Sequence, residues 1–358
     1  MADKKKKKVK FKESLGIDIG THSVKLVHLK KLHQGFKLLN YEIRNAMPEG
    51  YEDSLSDLKN DRYVPILMSM LKSLNIRPKK IKHIVTSIGG NNTSIKQIKT
   101  IYLPDDELES ALFFEAKKHL PMSGAEMILD YQVISIDEKT NNMNILLAST
   151  SKEMLQDHTD ILTNAGIPPG IVDIESLAVA NSFALNSYIE EGVYVILNIG
   201  AVNTNMVVYG PNAKFFARDV AWGGHHFTKE IMKQQDISYS EAEQYKMEYG
   251  LKEPEKEKEN DSIVALNVAE KSIAEQIIQE VKRSLRFYVK EAGNSDFRKI
   301  LLIGGGAKLK GLPEFIEEQM NVPTEVYNSY SNLERPEKFK DMQDPQLAVA
   351  LGLAMRPE

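Results

Sequence analysis

Apolar residues alternate with small or polar ones through Leu15-Gly16-Ile17-Asp18-Ile19-Gly20, and again through Val195-Ile196-Leu197-Asn198-Ile199-Gly200. After each terminal glycine come short hydroxyl or amide residues, then a second apolar run (Val24, Leu26, Val27; Met206, Val207, Val208). Period-two patterning on both sides of a glycine turn predicts a β-hairpin. The chain therefore uses one hairpin twice.

Around the first hairpin, residues 36–43 predict a strand, and residues 61–74 a helix through Val64, Leu67, Met68, Leu71 and Leu74. Residues 82–88 predict a buried strand closing on Gly89-Gly90. This order is that of a layered α/β domain. Residues 91–167 break the rhythm with a strand through Ile98 and Ile101 and a helix over 105–120 opened by acidic residues. Strands at 128–136 and 143–149 follow, then a helix over 152–164 ended by Gly166. They are expected to form an inserted subdomain.

Regular order resumes with a strand at 171–175, a helix at 176–185 and the second hairpin. A strand at 214–220 leads into Trp222-Gly223-Gly224-His225-His226-Phe227-Thr228 and a further helix. Residues 253–261 are charged and lack apolar spacing, so they predict an exposed loop. Residues 268–292 predict a long amphipathic helix through Ile273, Ile277, Val281, Leu285 and Tyr288, capped near Gly293. Last, the strand 300–303 meets Gly304-Gly305-Gly306 and a helix entered through Leu312-Pro313.

Hairpins of this kind suit phosphate. Glycine lets backbone N–H groups approach and converge on an anion, and neighbouring hydroxyls add donors. Asp18 can hold a magnesium ion through water, the arrangement that ion prefers, or can simply fix its own turn. The strand-to-helix glycines would let a flat ring or a ribose lie on bare backbone. His225, His226 and Glu230 do not match a zinc-binding helix in spacing, and no metal is expected there.

Composition narrows the classes further. A net charge of -4 gives no global reason for nucleic-acid binding, and the absence of cysteine removes disulfides, thiol catalysis and cysteine metal sites. No stretch approaches the roughly 20 apolar residues of a membrane span, so a cytosolic location is expected. Lys4 to Lys8, with Lys10 and Lys12, predict a disordered basic tail over residues 1–13, with anionic lipid as an alternative partner.

The three glycine elements, in this order, resemble the nucleotide-binding set of the actin, heat-shock chaperone and sugar-kinase superfamily. Within it the chain is similar to the PilM family of type IV pilus assembly proteins, and next to the FtsA family of the divisome. Phe114-Glu115-Ala116-Lys117-Lys118-His119-Leu120-Pro121, Ile128-Leu129-Asp130-Tyr131, and Ala165-Gly166 before Val172-Asp173-Ile174-Glu175 carry the PilM likeness. Ile237-Ser238, Glu241-Ala242-Glu243 and residues 246–250 are similar to both families.

The resemblance implies the actin-like ATPase fold: two facing, duplicated α/β domains, an insertion in the first, and ATP (or ADP) with Mg2+ between them. It divides the chain into 14–90 with 168–190 and a C-terminal helix 345–358, the insertion 91–167, a second half of 191–236 with 297–344, and a helical part 237–296. Phosphate contacts fall to Gly20, Thr21, His22, Ser23 and Lys25, and to Asn198, Gly200, Asn203 and Thr204. Gly224 borders the cleft, Gly304, Gly305 and Gly306 take adenosine, and Glu280, Arg283 and Ser284 approach ribose or adenine. Asp18 organises the metal.

Glu175 falls where relatives orient the attacking water, although an acid at a helix start is also favoured by the helix dipole. Asn198 stands where hydrolysing relatives commonly have aspartate and brings no charge, so at most slow ATP turnover is expected. The resemblance further implies a partner, the short cytoplasmic amino-terminal tail of the bitopic inner-membrane protein PilN, with pilus motor ATPases beyond it. Membrane association would then be indirect. Phe113, Phe114, Leu120 and Pro121 mark the neighbourhood of that groove, or else are core residues of the insertion. The competing expectations are an FtsA-like filament protein and a working ATPase or kinase.

Overall fold

The computed structural model describes residues 11–47, 60–90, 93–118, 126–187, 189–251 and 271–357. The lysines at 4–8 and 10, His119, Leu120, Pro121 and the loop 253–261 lie outside them. The chain divides into two compact units, Met1–Ile189 with Asn328–Glu358, and Glu190–Tyr327.

The first unit opens with β1 (Glu13–Ile19), β2 (Ser23–Lys31) and β3 (Phe36–Asn45), followed by α1 (Tyr63–Ser73) and β4 (His83–Ile88). The insertion then contributes β5 (Thr93–Ile101), α2 (Asp105–Lys117), β6 (Met127–Asp137) and β7 (Asn142–Ser151). α3 (Lys152–Asn164), β8 (Ile171–Ile174) and α4 (Glu175–Asn186) complete this stretch. The second unit comprises β9 (Val193–Ile199), β10 (Thr204–Tyr209), β11 (Phe216–Val220), α5 (Gly224–Gln235) and α6 (Tyr239–Tyr249). It continues with α7 (Ile273–Ala292), β12 (Phe297–Ile303), α8 (Leu312–Met320) and β13 (Thr324–Val326). β14 (Leu333–Glu334) and α9 (Ala348–Ala354) return to the first unit.

The two main sheets share a topology. In the first unit the order is β14-β3-β2-β1-β4-β8, and in the second β11-β10-β9-β12-β13. Each is a three-stranded antiparallel meander whose first strand pairs in parallel with a crossover strand, and that strand with another. The hairpin repeat in the sequence is thus the visible part of a repeated sheet. The insertion sits in the crossover between β4 and α3 and forms its own sheet, β5-β7-β6, with Leu108, Leu112 and Ala116 of α2 packed on Met143, Ile145 and Leu147 of β7.

Local chemistry fixes the helix ends. The α7 pattern expected from residue 268 begins as a helix at Ile273, because Ser272 and Glu275 form a reciprocal capping box there. Its inward stripe of Ile277, Ile278, Val281, Leu285 and Tyr288 is buried in the second unit's core. At roughly 2 kcal/mol per such side chain, that burial stabilises by about 10 kcal/mol before the entropy of ordering is subtracted. In the first unit α9 lies directly on β1: a Cβ at Gly16 would sit 2.6 Å from the Ala354 nitrogen. Gly16 serves helix-to-strand packing.

Residues 328–344, grouped with the second half from sequence, belong to the first unit. Tyr330 and Leu333 bury against Val27, Leu29 and Leu38, and β14 pairs with β3 in parallel. Two apolar anchors on a polar stretch decide its place, and they are too sparse to show a period.

Candidate functional site

The first hairpin is held from both sides. Gly20 N–H donates to the Ser23 carbonyl at 3.1 Å, and Ala46 N–H on the neighbouring strand's exit donates to the His22 carbonyl at 2.8 Å. Asp18 and Lys25 are cross-strand partners, with Nζ 3.1 Å from Oδ2 and side chains only 17% and 14% exposed. The ammonium also lies over the turn, since a Cβ on Gly20 would be 3.0 Å from it. Thr21 is half-buried, His22 exposed and Ser23 buried. The Tyr63 hydroxyl donates to the Gly20 carbonyl at 3.3 Å, and burial raises its pKa against the opposing pull of Arg62.

Beneath the hairpin, the Thr86 hydroxyl donates to the Ile17 carbonyl at 3.0 Å and meets His158 Nε2 at 2.8 Å. With the hydroxyl proton engaged, the neutral imidazole donates through Nε2. Burial pushes the His158 pKa down to about 4, opposed by Asp18.

Parallel pairing of β1 with β4 and of β4 with β8 brings three strand ends to one edge, where ligands of open α/β sheets bind. That edge carries Asp18, Gly89 and Glu175. Glu175 is the first residue of α4, and a Cβ at Gly89 would collide with its carboxylate. Asp18 and Glu175, far apart along the chain, thus come to the same end of the sheet, on β1 and just beyond β8 with β4 between them.

In the second unit, Gly200 N–H donates to the Asn203 carbonyl at 2.9 Å, repeating the first turn. Asn198 faces Gly304, because Ile303 is the register partner of Asn198 and a Cβ on Gly304 would lie 2.5 Å from Asn198 Oδ1. Gly304 adopts φ +84°, a left-handed conformation that glycine takes without strain. The second hairpin and the Gly304–Gly306 turn therefore form one surface, with Gly305 exposed upon it.

Three expected contacts are corrected. Thr204 is fully buried and its hydroxyl donates to the Trp222 carbonyl at 2.8 Å, so it ties the hairpin to the next loop instead of offering a donor to phosphate. Gly224 N–H donates to the Gly200 carbonyl at 2.9 Å, and His225 N–H to the Ala201 carbonyl at 2.8 Å. The first donors of α5 are spent on clamping the hairpin. Half-buried Glu280 and exposed Arg283 form a pair on α7, 3.7 Å apart, while Ser284 is buried with its hydroxyl donating to the Glu280 carbonyl at 2.8 Å. Ser284 is thereby withdrawn from any ligand.

Sequence reading missed Lys246. Its ammonium, 13% exposed, donates to the Gly224 carbonyl at 3.1 Å, to Thr228 Oγ1 at 2.7 Å and to Glu243 Oε1 at 2.7 Å. Burial lowers its pKa, and Glu243 opposes the shift. The motif running from Glu241 through Gly250 was the available signal. His225 bonds to the Tyr239 hydroxyl at 3.1 Å, His226 Nδ1 accepts from Gly223 N–H at 3.1 Å, and the Glu230 carboxylate accepts from Ile273 N–H at 3.1 Å. Each has a structural role. Burial first, then neighbouring Lys229, His226 and Lys246, push the His225 pKa down to about 4.

On the insertion, Phe113 and Phe114 are 37% and 67% exposed, edge to face, with the Lys117 ammonium 4.5 Å from the Phe113 ring centre. They stand outside the core of Leu108, Leu112 and Ala116. Among the described residues no helix is long and apolar enough to cross a membrane, and no group of three or more His, Asp or Glu is placed to hold a metal.

Within the first unit, the residues around Asp18 fit a hydrated divalent cation with phosphate. One carboxylate at Asp18 and one ammonium at Lys25, beside the Gly20 turn, match an ion that takes one or two carboxylates and completes its shell with water and phosphate.

Two units of common strand order, each bearing an Asp/Asn-Ile-Gly hairpin on its central strands, define an actin-like ATPase fold. A solved structure described as a PilM-PilN type IV pilus biogenesis complex is similar over 96% of this chain and 98% of that chain, at 23% identity and a TM-score of 0.76. The ethanolamine utilization protein EutJ from Carboxydothermus hydrogenoformans is similar over 96% and 89%, at 14% identity and a TM-score of 0.50. The sequence family described as type IV pilus assembly protein PilM matches residues 16–358, and the chain belongs to it.

Curated relatives are cell division proteins FtsA. That of Helicobacter pylori strain J99 is 22% identical over 230 residues, 59% of this chain and 46% of that protein. The Streptococcus pneumoniae D39 protein is 23% identical over 346 residues, 87% and 74%. The chain thus spans about half the length of the Helicobacter relatives it matches.

Proposed function

We propose that this chain is a nucleotide-binding scaffold of type IV pilus assembly, working at the cytoplasmic face of the inner membrane through a PilN-like bitopic protein. The observation that carries the reading is the family match over residues 16–358, together with likeness to a structure whose description names a PilM-PilN complex. The partner's short amino-terminal tail is taken on the insertion, where the outward Phe113 and Phe114 offer apolar surface that the subdomain's own core does not use.

In this reading the first unit offers nucleotide phosphate the turn at Gly20–His22 and the Lys25 ammonium, and the second unit offers the turn at Gly200–Asn203 to phosphate and Gly304–Gly306 to adenosine. Asp18 orients the water shell of the magnesium, which neutralises phosphate charge when bound. Glu175, on the same sheet edge as Asp18, positions a water molecule. Asn198 supplies no carboxylate, which keeps turnover slow. Occupation biases the insertion through α3, whose Ile161 and Leu162 pack in one core with Leu15 and Ile17 of β1.

Titration calorimetry with magnesium ATP, a PilN-type tail peptide, and each in the presence of the other tests the reading. Linkage requires the two ligands to alter one another's affinity by the same factor. No heat with adenine nucleotide on folded protein removes the nucleotide component. Peptide affinity that ignores nucleotide removes the coupling. Concentration- and ATP-dependent sedimentation with no peptide binding would favour an FtsA-like filament instead.

A further inference from the structure

The end of the first unit remote from Asp18 carries a concentration of unpaired cations. Antiparallel pairing of β2 with β1 sets Lys30 and Lys31 beside Lys12, with Lys31 N–H donating to the Lys12 carbonyl at 2.9 Å. Parallel pairing of β1 with β4 matches Ser14 to His83, which brings Lys82 and the preceding turn with Lys79 and Lys80 to the same end. All six lysines are exposed, and none is ion-paired among the described residues. Glu13 is the single carboxylate in segments 11–13, 30–35 and 77–83, and it is engaged by His28 at 3.0 Å.

Phe11 fixes where the chain's start joins this end. It is buried, stacked on His83 with centroids 3.9 Å apart, and covered by the Lys31 ammonium at 4.5 Å. In a chain of net charge -4, this is a pronounced local excess of positive charge.

We propose that this lysine-rich end docks directly on an anionic lipid bilayer, a contact beyond the partner-mediated membrane association proposed above. The cations are lysines, compact point charges suited to a diffuse anionic surface; bidentate phosphate recognition in nucleic acids favours arginine. The aromatic ring among them is buried, so the face offers neither a stacking platform for bases nor a wedge for insertion. Attraction is therefore electrostatic, reversible and screened by salt. The length of β1 puts roughly 20 Å between this face and Asp18, which leaves the candidate nucleotide edge free.

The test is flotation of the full chain with protein-free vesicles of phosphatidylcholine, alone or mixed with phosphatidylglycerol, across a salt series. Binding to the mixed vesicles only, falling steeply with salt, is expected. Each lysine at an anionic surface is worth about fivefold in partitioning, so K79Q/K80Q/K82Q should lose on the order of a hundredfold. The melting temperature and the heat of nucleotide binding should be unchanged. A chain lacking residues 2–10 should still bind the mixed vesicles and remain sensitive to K79Q/K80Q/K82Q.

Equal partitioning to both vesicle types, or none, overturns the proposal. So does a triple variant that binds like the parent, or tighter binding to duplex DNA or to an acidic peptide than to anionic vesicles at the same salt. Because no PilN-like protein is present, these outcomes are independent of the scaffold reading.

Discussion

Replacement of Asp18 by Asn separates the two tasks assigned to that side chain. In the free protein the carboxylate lies 3.1 Å from the Lys25 ammonium, and both groups are more than four-fifths buried. At an effective dielectric near 20 the gross attraction is about 5 kcal/mol. Most of it offsets the desolvation of two charges, and a net loss of about 1–2 kcal/mol is expected for an amide that still accepts a hydrogen bond from the ammonium. Melting should therefore fall by only a few degrees, roughly 2–4 °C per kcal/mol for a domain of this size.

Ligand binding should respond differently according to metal. Losing a charged acceptor for metal-bound water costs about 1.5–3 kcal/mol, or roughly 10- to 100-fold in affinity for magnesium ATP. Metal-free nucleotide should bind D18N as well as or better than the parent, because Lys25 no longer faces a carboxylate. The assay is calorimetry with ATP in magnesium and in EDTA, and the decisive quantity is the ratio of the two affinities. Equal loss in both conditions, or no loss in either, would refute the assignment of Asp18 to the metal.

Gly304→Ala combines a left-handed φ of +84° with a Cβ placed 2.5 Å from Asn198 Oδ1 and 2.6 Å from the Ile199 carbonyl, so a loss of about 2–4 kcal/mol in urea unfolding is expected together with weaker nucleotide binding. Phe114→Asp, at a side chain 67% exposed, should change stability by less than about 0.5 kcal/mol yet abolish capture of a PilN-type peptide in fluorescence anisotropy. His158 and His225 have folded-state pKa values lowered to about 4 from 6.5, so the unfolded chain binds more protons between those limits. Their contribution is fully present above about pH 6.5 and is lost as pH falls toward 4. H158Q should flatten that stability loss between pH 7 and 5 in denaturant titrations, and an unchanged slope would count against burial of a neutral imidazole.

What the sequence determined by itself was the set of elements and the repeat. Strict alternation through Leu15–Gly20 and Val195–Gly200 specifies strands because side chains on a strand face opposite sides every second residue. The stripe from Ile273 to Tyr288 specifies a helix because residues three and four apart share a face, and Gly293 ends it at φ +67°. These are local properties. Several boundaries shifted by a few residues, and at α7 the Ser272 cap outweighed the periodicity.

Tertiary structure decided which groups meet and which are already engaged. Parallel pairing brought Asp18, Gly89 and Glu175 to one end of a sheet, and set Asn198 over Gly304. Long-range hydrogen bonds withdrew the Thr204 hydroxyl and the Gly224 N–H from ligand duty, and lodged Lys246 against Gly224. The same pairing gathered lysines from three separate segments onto one end of a sheet, and packing of α2 through Leu108, Leu112 and Ala116 turned Phe113 and Phe114 outward. Residue spacing along a chain reports its periodicity, whereas the use of a hydroxyl, an amide or a charge depends on partners brought from elsewhere, which only the assembled sheets supply.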